Sequence, residues 1–445
     1  LILTFSFYLS TYSQPKIIDA VHYTQISSFE TDYSINEMKM SGDGSKIIFA
    51  TGGPQVKVFT INTNGTGLIQ IYDFQTTGFA PFIDISSNGE KILWCDRYGE
   101  IFVANSDGTG IDEIATLLPN PDTARADIEP EIPLPPRFTA DGGTIFFLHV
   151  DRDPRGSGVW SINTNNTNLT QIFNYLDVAS KVYGRDGSEY NFNTAFTDGF
   201  DINQDGSRII FGMRGFKFEE GDFERGDAIV AYGTTFYKLS DYALGYQPFA
   251  TNMDDDVYLL FKREFNTDLQ YDEINVYYQH IGTGTPIKVI GGIGLHGGAR
   301  MTQISANGSG GIIHGANGAL PITFVDRISQ SHIDLVSIDG ISHGIGGFNF
   351  SASALPSIND DGDKFCFLAI SNPTQIWIGE ILSDGAGSEP KINGVNFTPN
   401  YVLNDGISTA TIEAHVSDIN DPINFVTIQS TQNGSIYFRA LTADG

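Results

Sequence analysis

Residues 82–114 read FIDISSNGEKILWCDRYGEIFVANSDGTGIDEI, and this stretch decides the fold. Phe82–Ile85 alternates apolar and polar residues, as a strand with two differently treated faces does. Asn88-Gly89 supplies the positive φ of a tight hairpin turn. Ile92-Leu93-Trp94 is a short apolar run of the kind a buried strand carries. A third strand, EIFVAN, ends in a second turn, SDGTG, and a fourth short run closes the unit. The expectation is a four-stranded antiparallel meander.

Outward from this copy, the same seven-residue phrase recurs along the chain: Asp/Asn-Gly, two mostly polar residues, then three apolar ones. Its seven copies begin at Asp43 (DGSKIIF), Asn88 (NGEKILW), Asp141 (DGGTIFF), Asp205 (DGSRIIF), Asp255 (DDVYLLF, lacking the Gly), Asn307 (NGSGGII) and Asp361 (DGDKFCF). The starts lie 45, 53, 64, 50, 52 and 54 residues apart. A period of this size means stacked supersecondary units, and four-stranded units hide their edges by stacking radially. The fold class expected is all-β: a seven-bladed β-propeller of four-stranded antiparallel blades.

Counting back from each turn exposes a pattern the phrase itself does not contain. Three residues back stand Met40, Ile85, Phe138, Ile202, Asn252, Ile304 and Ile358. Four residues back, every residue is polar: Lys39, Asp84, Arg137, Asp201, Thr251, Gln303 and Ser357. If the strand carrying this row is innermost in each blade, the seven side chains line a central channel. They either hold an ion, water or small anion there, or pair with one another so that polar groups tolerate a tight channel.

Strand, Asp-Gly turn, apolar strand, then IFVANSDGTG and a further apolar run resembles the TolB-type propeller repeat, a relative of the WD repeat. The likeness covers about residues 34–385 and is carried best by repeats 1, 2, 3, 4 and 7. Repeats 5 and 6 depart from it, through Asp256 in place of the turn Gly and through the glycine-rich SGG at 309–311. At repeat level the chain also resembles the oligogalacturonate lyases, a propeller family that uses metal-bound histidines. None of that family's ligands maps residue by residue onto this chain.

The domain division expected is a truncated signal peptide over 1–13, the propeller over 14–386, and a partial module over 387–445. Leu1–Ser10 is an apolar run, and Thr11 and Ser13 have the small-residue spacing of a cleavage site, which would leave Gln14 first. Ten residues are too few to span a bilayer. The alternating segment 16–26 stands before the first repeat, while the last repeat offers only three strands. Closure of the last blade by this N-terminal segment is therefore expected. From Lys391 onward, alternating runs with turns at 404–406 and 418–422 resemble the opening strands of a bacterial immunoglobulin-like β-sandwich. Two insertions break the period: the proline-rich 119–136, and 174–193 with the charged 216–227. Long loops on a rigid ring are where binding usually resides, and unstructured decoration is the competing reading.

The chain of 445 residues carries 53 acidic against 25 basic residues, a net charge of −28. Nucleic acid and anionic membranes need a basic footprint, so neither is an expected partner. Cys95 and Cys366 fall on second strands of non-adjacent repeats and read as small buried hydrophobes.

No catalytic or metal-ligating set emerges from motifs, since neither HExxH nor the P-loop occurs in the sequence. His296 and His343 approach first strands in glycine-rich segments and, with Arg300, form a candidate rim group. Asp201-Ile-Asn203-Gln-Asp205-Gly206 imitates the first half of a calcium loop, but Gly212 stands where the loop needs a bidentate Glu. Asp405, Asp418 and Asp421 are turn formers that a secreted β-sandwich can also direct at calcium. The expectation is no cofactor, with calcium or a transition metal as the alternative. The function expected is that of an exported, non-enzymatic binding or scaffold protein in the periplasm, at the cell surface or in the medium, recognising a protein or surface glycan. The alternative is an exported polysaccharide lyase or hydrolase with its site at the channel mouth.

Overall fold

The computed structural model describes residues 18–29, 35–53, 55–75, 81–95, 100–114, 136–149, 155–184, 186, 200–216, 225–239, 246–251, 257–266, 271–280, 287–294, 299–305, 310–315, 322–326, 331–334, 356–369, 375–383, 391–398 and 411–417. The chain divides into two compact units, 21–381 and a second that gathers 1–20 with 382–445.

In the larger unit, β1 (Ile18–Gln25) is first in the chain but not first in its sheet. One sheet follows as β2 (Ile35–Met40), β3 (Lys46–Thr51), β4 (Lys57–Asn62) and β5 (Ile69–Asp73). The second is β6 (Phe82–Ile85), β7 (Lys91–Cys95), β8 (Ile101–Asn105) and β9 (Asp112–Ile114). The third is β10 (Arg137–Phe138), β11 (Thr144–His149), β12 (Gly158–Asn163) and β13 (Thr170–Asn174), after which comes the helix α1 (Tyr175–Tyr183). The fourth is β14 (Phe200–Ile202), β15 (Arg208–Phe216), β16 (Arg225–Tyr232) and β17 (Thr235–Lys238). The fifth is β18 (Tyr246–Thr251), β19 (Val257–Asn266), β20 (Tyr271–His280) and β21 (Ile287–Gly294). The sixth is β22 (Ala299–Ile304), β23 (Gly310–Gly315), β24 (Ile322–Asp326) and β25 (Ser331–Asp334). The last is β26 (Ser357–Ile358), β27 (Lys364–Ala369) and β28 (Gln375–Ser383), with β1 hydrogen-bonded beside β28 as its fourth strand. The described residues thus form several four-stranded antiparallel sheets, as in a β-propeller, and all but the last are meanders of consecutive strands.

Where burial is described, the second strands β3, β7, β11, β15 and β27 are buried on both faces, which is why they read as continuous apolar runs. In β3, Ile47 and Phe49 pack with Cys366, Leu368 and Ile376 of the last sheet. The intervening Ile48 and Ala50 pack instead with Ile83, Ile92 and Trp94 of the second sheet. In β7, Leu93 and Cys95 turn to Phe138, Ile145 and Phe147 of the third sheet. Stacked rings, Phe49 on Phe59 at 5.1 Å and Trp94 on Phe102 at 5.5 Å, fill these layers.

The Asp/Asn-Gly turns follow one design. The glycines at 44, 89, 142, 206 and 362 have φ between 67° and 72°. The preceding Asp or Asn contributes its side chain rather than a left-handed backbone. Asp43, Asn88, Asp141 and Asp205 each accept, through Oδ1, the backbone N–H two residues on, at 2.9–3.1 Å. The second turn repeats as closely: 62–68 is NTNGTGL, 105–111 NSDGTGI and 163–169 NTNNTNL. Gly65 and Gly67 have φ of 82° and 68°, and in the third sheet Asn166 and Asn168 hold the same left-handed positions at 60° and 58°.

The insertion at 174–193 is not unstructured over its first half. Asn174 Oδ1 accepts the Asp177 N–H at 2.9 Å, Asp177 returns a carboxylate oxygen to the Asn174 N–H at 3.1 Å, and Gly184 ends the helix with φ 65°. Tyr175, Val178 and Ala179 are buried in the core shared by the third and fourth sheets. The insertion 216–227 partly extends strands, since β15 runs to Phe216 and β16 starts at Arg225. The proline-rich insertion lies outside the described residues, Pro136 apart.

In the second unit, β29 (Lys391–Thr398) and β30 (Thr411–Ser417) form an antiparallel pair with an irregularity between Ile392 and Gly394. Among the described residues no helix is long and apolar enough to cross a membrane.

Candidate functional site

The polar row of the repeats stands on the first strand of every four-stranded sheet: Lys39 on β2, Asp84 on β6, Arg137 on β10, Asp201 on β14, Thr251 on β18, Gln303 on β22 and Ser357 on β26. Where side chains are described, they reach across to the neighbouring sheet. Lys39 Nζ lies 3.2 Å from Asp84 Oδ1. The other oxygen of Asp84 accepts the Phe138 N–H at 2.8 Å. Arg137 Nε–H donates to Asp201 Oδ1 at 3.3 Å. Ser357 Oγ accepts the Met40 N–H at 3.1 Å. The alternation of charge along the first four repeats thus places each cation beside a carboxylate one sheet further on. Two ion pairs and two side chain to backbone bonds tie consecutive sheets together here.

A second series of contacts runs through the turns of five sheets. The Asp360 N–H donates to the Gly42 carbonyl at 2.8 Å, Asp43 to Ser87 at 2.7 Å, Ser87 to Ala140 at 2.9 Å and Ala140 to Gln204 at 2.7 Å. These bonds link the last sheet to the first, and so on to the fourth. The Asp360 carboxylate extends past Gly42 to accept a short bond from Ser87 Oγ, two sheets away. This carboxylate and Ser87 Oγ occupy the space that a Cβ on residue 42 would need, so any side chain there would have to displace them.

Within each turn, the residue two before the Asp or Asn has a role the sequence analysis overlooked. Ser41 Oγ, Ser86 Oγ, Thr139 Oγ1, Asn203 Oδ1 and Asn359 Oδ1 each accept the backbone N–H five residues on, at 2.8–3.0 Å. The signal was present, since six of the seven copies carry Ser, Thr or Asn at this position, Met253 being the exception.

Three of the turn carboxylates, Asp43, Asp141 and Asp205, are held ionised by this geometry. Thr139 Oγ1–H and the Gly143 N–H hold Asp141 below the usual carboxylate range, and Ser207 does the same for Asp205 through its hydroxyl and N–H. For Asp43 burial pulls upward, but bonds from Ser41 and Ser45 and the charge of Lys46 outweigh it.

These bonds also account for the calcium-loop lookalike. Asp201 faces Arg137, Asn203 Oδ1 takes the Arg208 N–H, and Asp205 Oδ1 takes the Ser207 N–H. Among the described residues, no three His, Cys, Asp or Glu side chains are grouped so as to share a metal ion. Of the rim group, Arg300 lies on β22 with its backbone opposite His314, while His296 and His343 fall outside the described residues. Asp405, Asp418 and Asp421 also fall outside them. Cys95 and Cys366 are thiols not joined in a disulfide, each buried in a different inter-sheet core. Burial pushes the Cys366 thiol up to about 12.

Closure of the last sheet adds a site that no motif announced. Gln375, at the start of β28, is 6% exposed. Its Oε1 accepts from Ser27 Oγ–H at 2.7 Å and from the Phe29 N–H at 2.9 Å, and its Nε2–H donates to the Phe29 carbonyl at 3.1 Å. Ser27 Oγ in turn accepts the Ile376 N–H at 2.8 Å.

No family model matches the chain, and no curated protein matches it either. Similar folds are found among solved structures. An oligogalacturonate lyase from Vibrio parahaemolyticus superposes with a TM-score of 0.51 at 13% identity, covering 86% of this chain and 98% of that one. An oligogalacturonate lyase in complex with manganese gives 0.50 at 11% identity, covering 86% and 97%. At such identities the likeness is one of fold, and the fold is a β-propeller.

Proposed function

We propose that the chain is an exported, non-enzymatic binding or scaffold protein, built as a seven-bladed TolB-type propeller followed by an immunoglobulin-like module. The observation that carries this reading is the use made of the polar row. Lys39, Asp84, Arg137, Asp201 and Ser357, the members of the row whose side chains are described, are engaged with the neighbouring sheet. Groups held in this way stabilise a ring, and the recognition surface is left to the rim and the insertions.

Other observations support the finer parts. Seven four-stranded sheets among the described residues each begin with a strand that bears one position of the row. The β29–β30 hairpin supports a separate β module. Leu1–Ser10 with Thr11 and Ser13 supports export, and the acidic balance suits a solvent-exposed protein whose partner is another protein or a surface glycan.

The test is a binding screen of the full chain against immobilised neutral and uronate-containing glycans and against cell-envelope extract, run beside an assay for cleavage of the same glycans. Saturable binding without turnover is the expected result. Turnover of any glycan would replace this reading by the lyase or hydrolase one.

A further inference from the structure

An asparagine followed by glycine is the amide most prone to lose ammonia without an enzyme. Glycine lacks a Cβ, so its backbone nitrogen can reach the preceding side-chain carbonyl carbon. Two such steps stand in the described turns, Asn64-Gly65 in the second turn of the first sheet and Asn88-Gly89 in the first turn of the second sheet. Each is guarded by its own turn: the Gly65 N–H donates to the Asn62 carbonyl at 2.9 Å, and the Gly89 N–H to the Ser86 carbonyl at 3.0 Å. The surroundings differ. Asn88 is held at both ends of its amide, since Oδ1 accepts from Ser86 Oγ–H and the Glu90 N–H while Nδ2–H donates to Glu90 Oε2. Gly89 is buried, and Ser87 is bonded through its backbone to Asp43 and Ala140 of the sheets on either side. Asn64 is held through its oxygen, by the Thr66 N–H and hydroxyl, and residues 64–68 are all exposed.

We propose that Asn64 is a site of spontaneous deamidation, with water as the only other reactant, and that Asn88 is protected from it. The Gly65 nitrogen bonds to Asn64 Cγ as the Cγ–Nδ2 bond breaks, and the glycine proton leaves with Nδ2 as ammonia. Water then opens the cyclic imide. Addition at Cγ gives aspartate, and addition at the backbone carbonyl gives isoaspartate, with the chain rerouted through the side-chain carbon. The reaction needs the turn to open for a moment. The hydrogen bonds of the turn at 62–68 stay within its own sheet, as from Thr63 to Ser45 and Gly44, whereas opening the turn at Asn88 must also part it from two neighbouring sheets. The aspartate product already has a place in the fold. Asp107 stands at the equivalent position of the second sheet, where its Oδ1 accepts the Thr109 N–H at 2.9 Å and hydroxyl at 2.6 Å, as Asn64 Oδ1 does from Thr66 at 3.0 and 2.7 Å. The isoaspartate product has none, since an added backbone carbon breaks this pairing beside the Ile26 carbonyl, which a Cβ on Gly65 would meet at 3.0 Å. This modification is independent of the binding function proposed above.

The experiment is peptide mapping by mass spectrometry of the full chain after incubation at mildly alkaline pH, beside the same chain incubated in denaturant, with isoaspartate counted by enzymatic methylation. In denaturant the two asparagines should convert at similar rates, since each precedes glycine. In the folded chain Asn64 should convert roughly tenfold or more faster than Asn88, the scale set by the further hydrogen bonds that must open. Asn64→Asp should leave the thermal unfolding midpoint unchanged, whereas natural chain enriched in isoaspartate at this position should unfold at a lower temperature. Equal rates at Asn64 and Asn88 in the folded chain would overturn the proposal, as would an Asn64 that stays intact while the denatured chain reacts. A lowered midpoint in Asn64→Asp would overturn the place given to the aspartate product.

Discussion

The second sheet and the last one solve the same problem by opposite means. β6 to β9 come from one continuous segment, and their order in space is their order in the chain. Turns of a few residues, locked by Ser86 and Asn88, set the register locally. The last sheet draws β26 to β28 from one end of the chain and β1 from the other. No turn can fix that register, so the task falls to a buried amide, Gln375, that bonds the backbone 346 residues away. Local sheets are specified by turn chemistry. The closing sheet is specified by a contact whose entropic cost of loop closure is met only once the rest has assembled.

The sharpest way to break this contrast is Gln375→Leu. It keeps the volume but strands the Phe29 N–H and carbonyl and the Ser27 hydroxyl, and should destabilise the protein by about 3 kcal/mol in denaturant unfolding. Hydrogen exchange should rise first at 26–29 and 375–378. A uniform rise would mean that closure is not a separate element. Next in size is Gly42→Ala, where the new methyl meets the Asp360 carboxylate. A loss of about 2 kcal/mol is expected, partly restored by the double variant with Asp360→Ala. Without such coupling, the bond between Ser87 and Asp360 is incidental.

Acid gives a smaller, graded effect on the local turns. Asp43, Asp141 and Asp205 have folded pKa values below their unfolded ones. Their contribution is therefore complete above the unfolded value of about 3.9 and is lost as pH falls through the folded values. Midpoints measured from about pH 5 downward should decline less steeply in the triple Asp→Asn variant than in the natural chain. The smallest effect tests the tolerance of a turn. Asn166→Gly, which relieves a left-handed asparagine where the other sheets use glycine, should change stability by less than about 1 kcal/mol and in the favourable direction. Clear destabilisation would show that the asparagine side chain contributes more than the turn requires.

Much of the fold was legible because its rules are short-ranged. Asp/Asn-Gly, the apolar triplets and the alternating strand before each turn are all read within a dozen residues, and they located β2 to β13 closely. The helix over 175–183 was missed although its capping box, Asn174 with Asp177, is a local signal. The β period on either side drew attention away from it. The candidate site was legible in part. Counting back from the turns found the seven polar positions, and the alternation of charge hinted at pairing. Which cation meets which carboxylate was not readable, because it depends on how far each sheet is rotated against the next.

The sequence by itself determined the repeat, the turns and the seven polar positions, since each rests on interactions between residues a few positions apart. Only the tertiary structure decided that Lys39 meets Asp84, that Asp360 reaches past Gly42 to Ser87, and that Gln375 holds the backbone at Phe29. Those contacts join residues brought together only by the stacking of sheets, and the polarity of a residue type does not say which partner packing will bring to it.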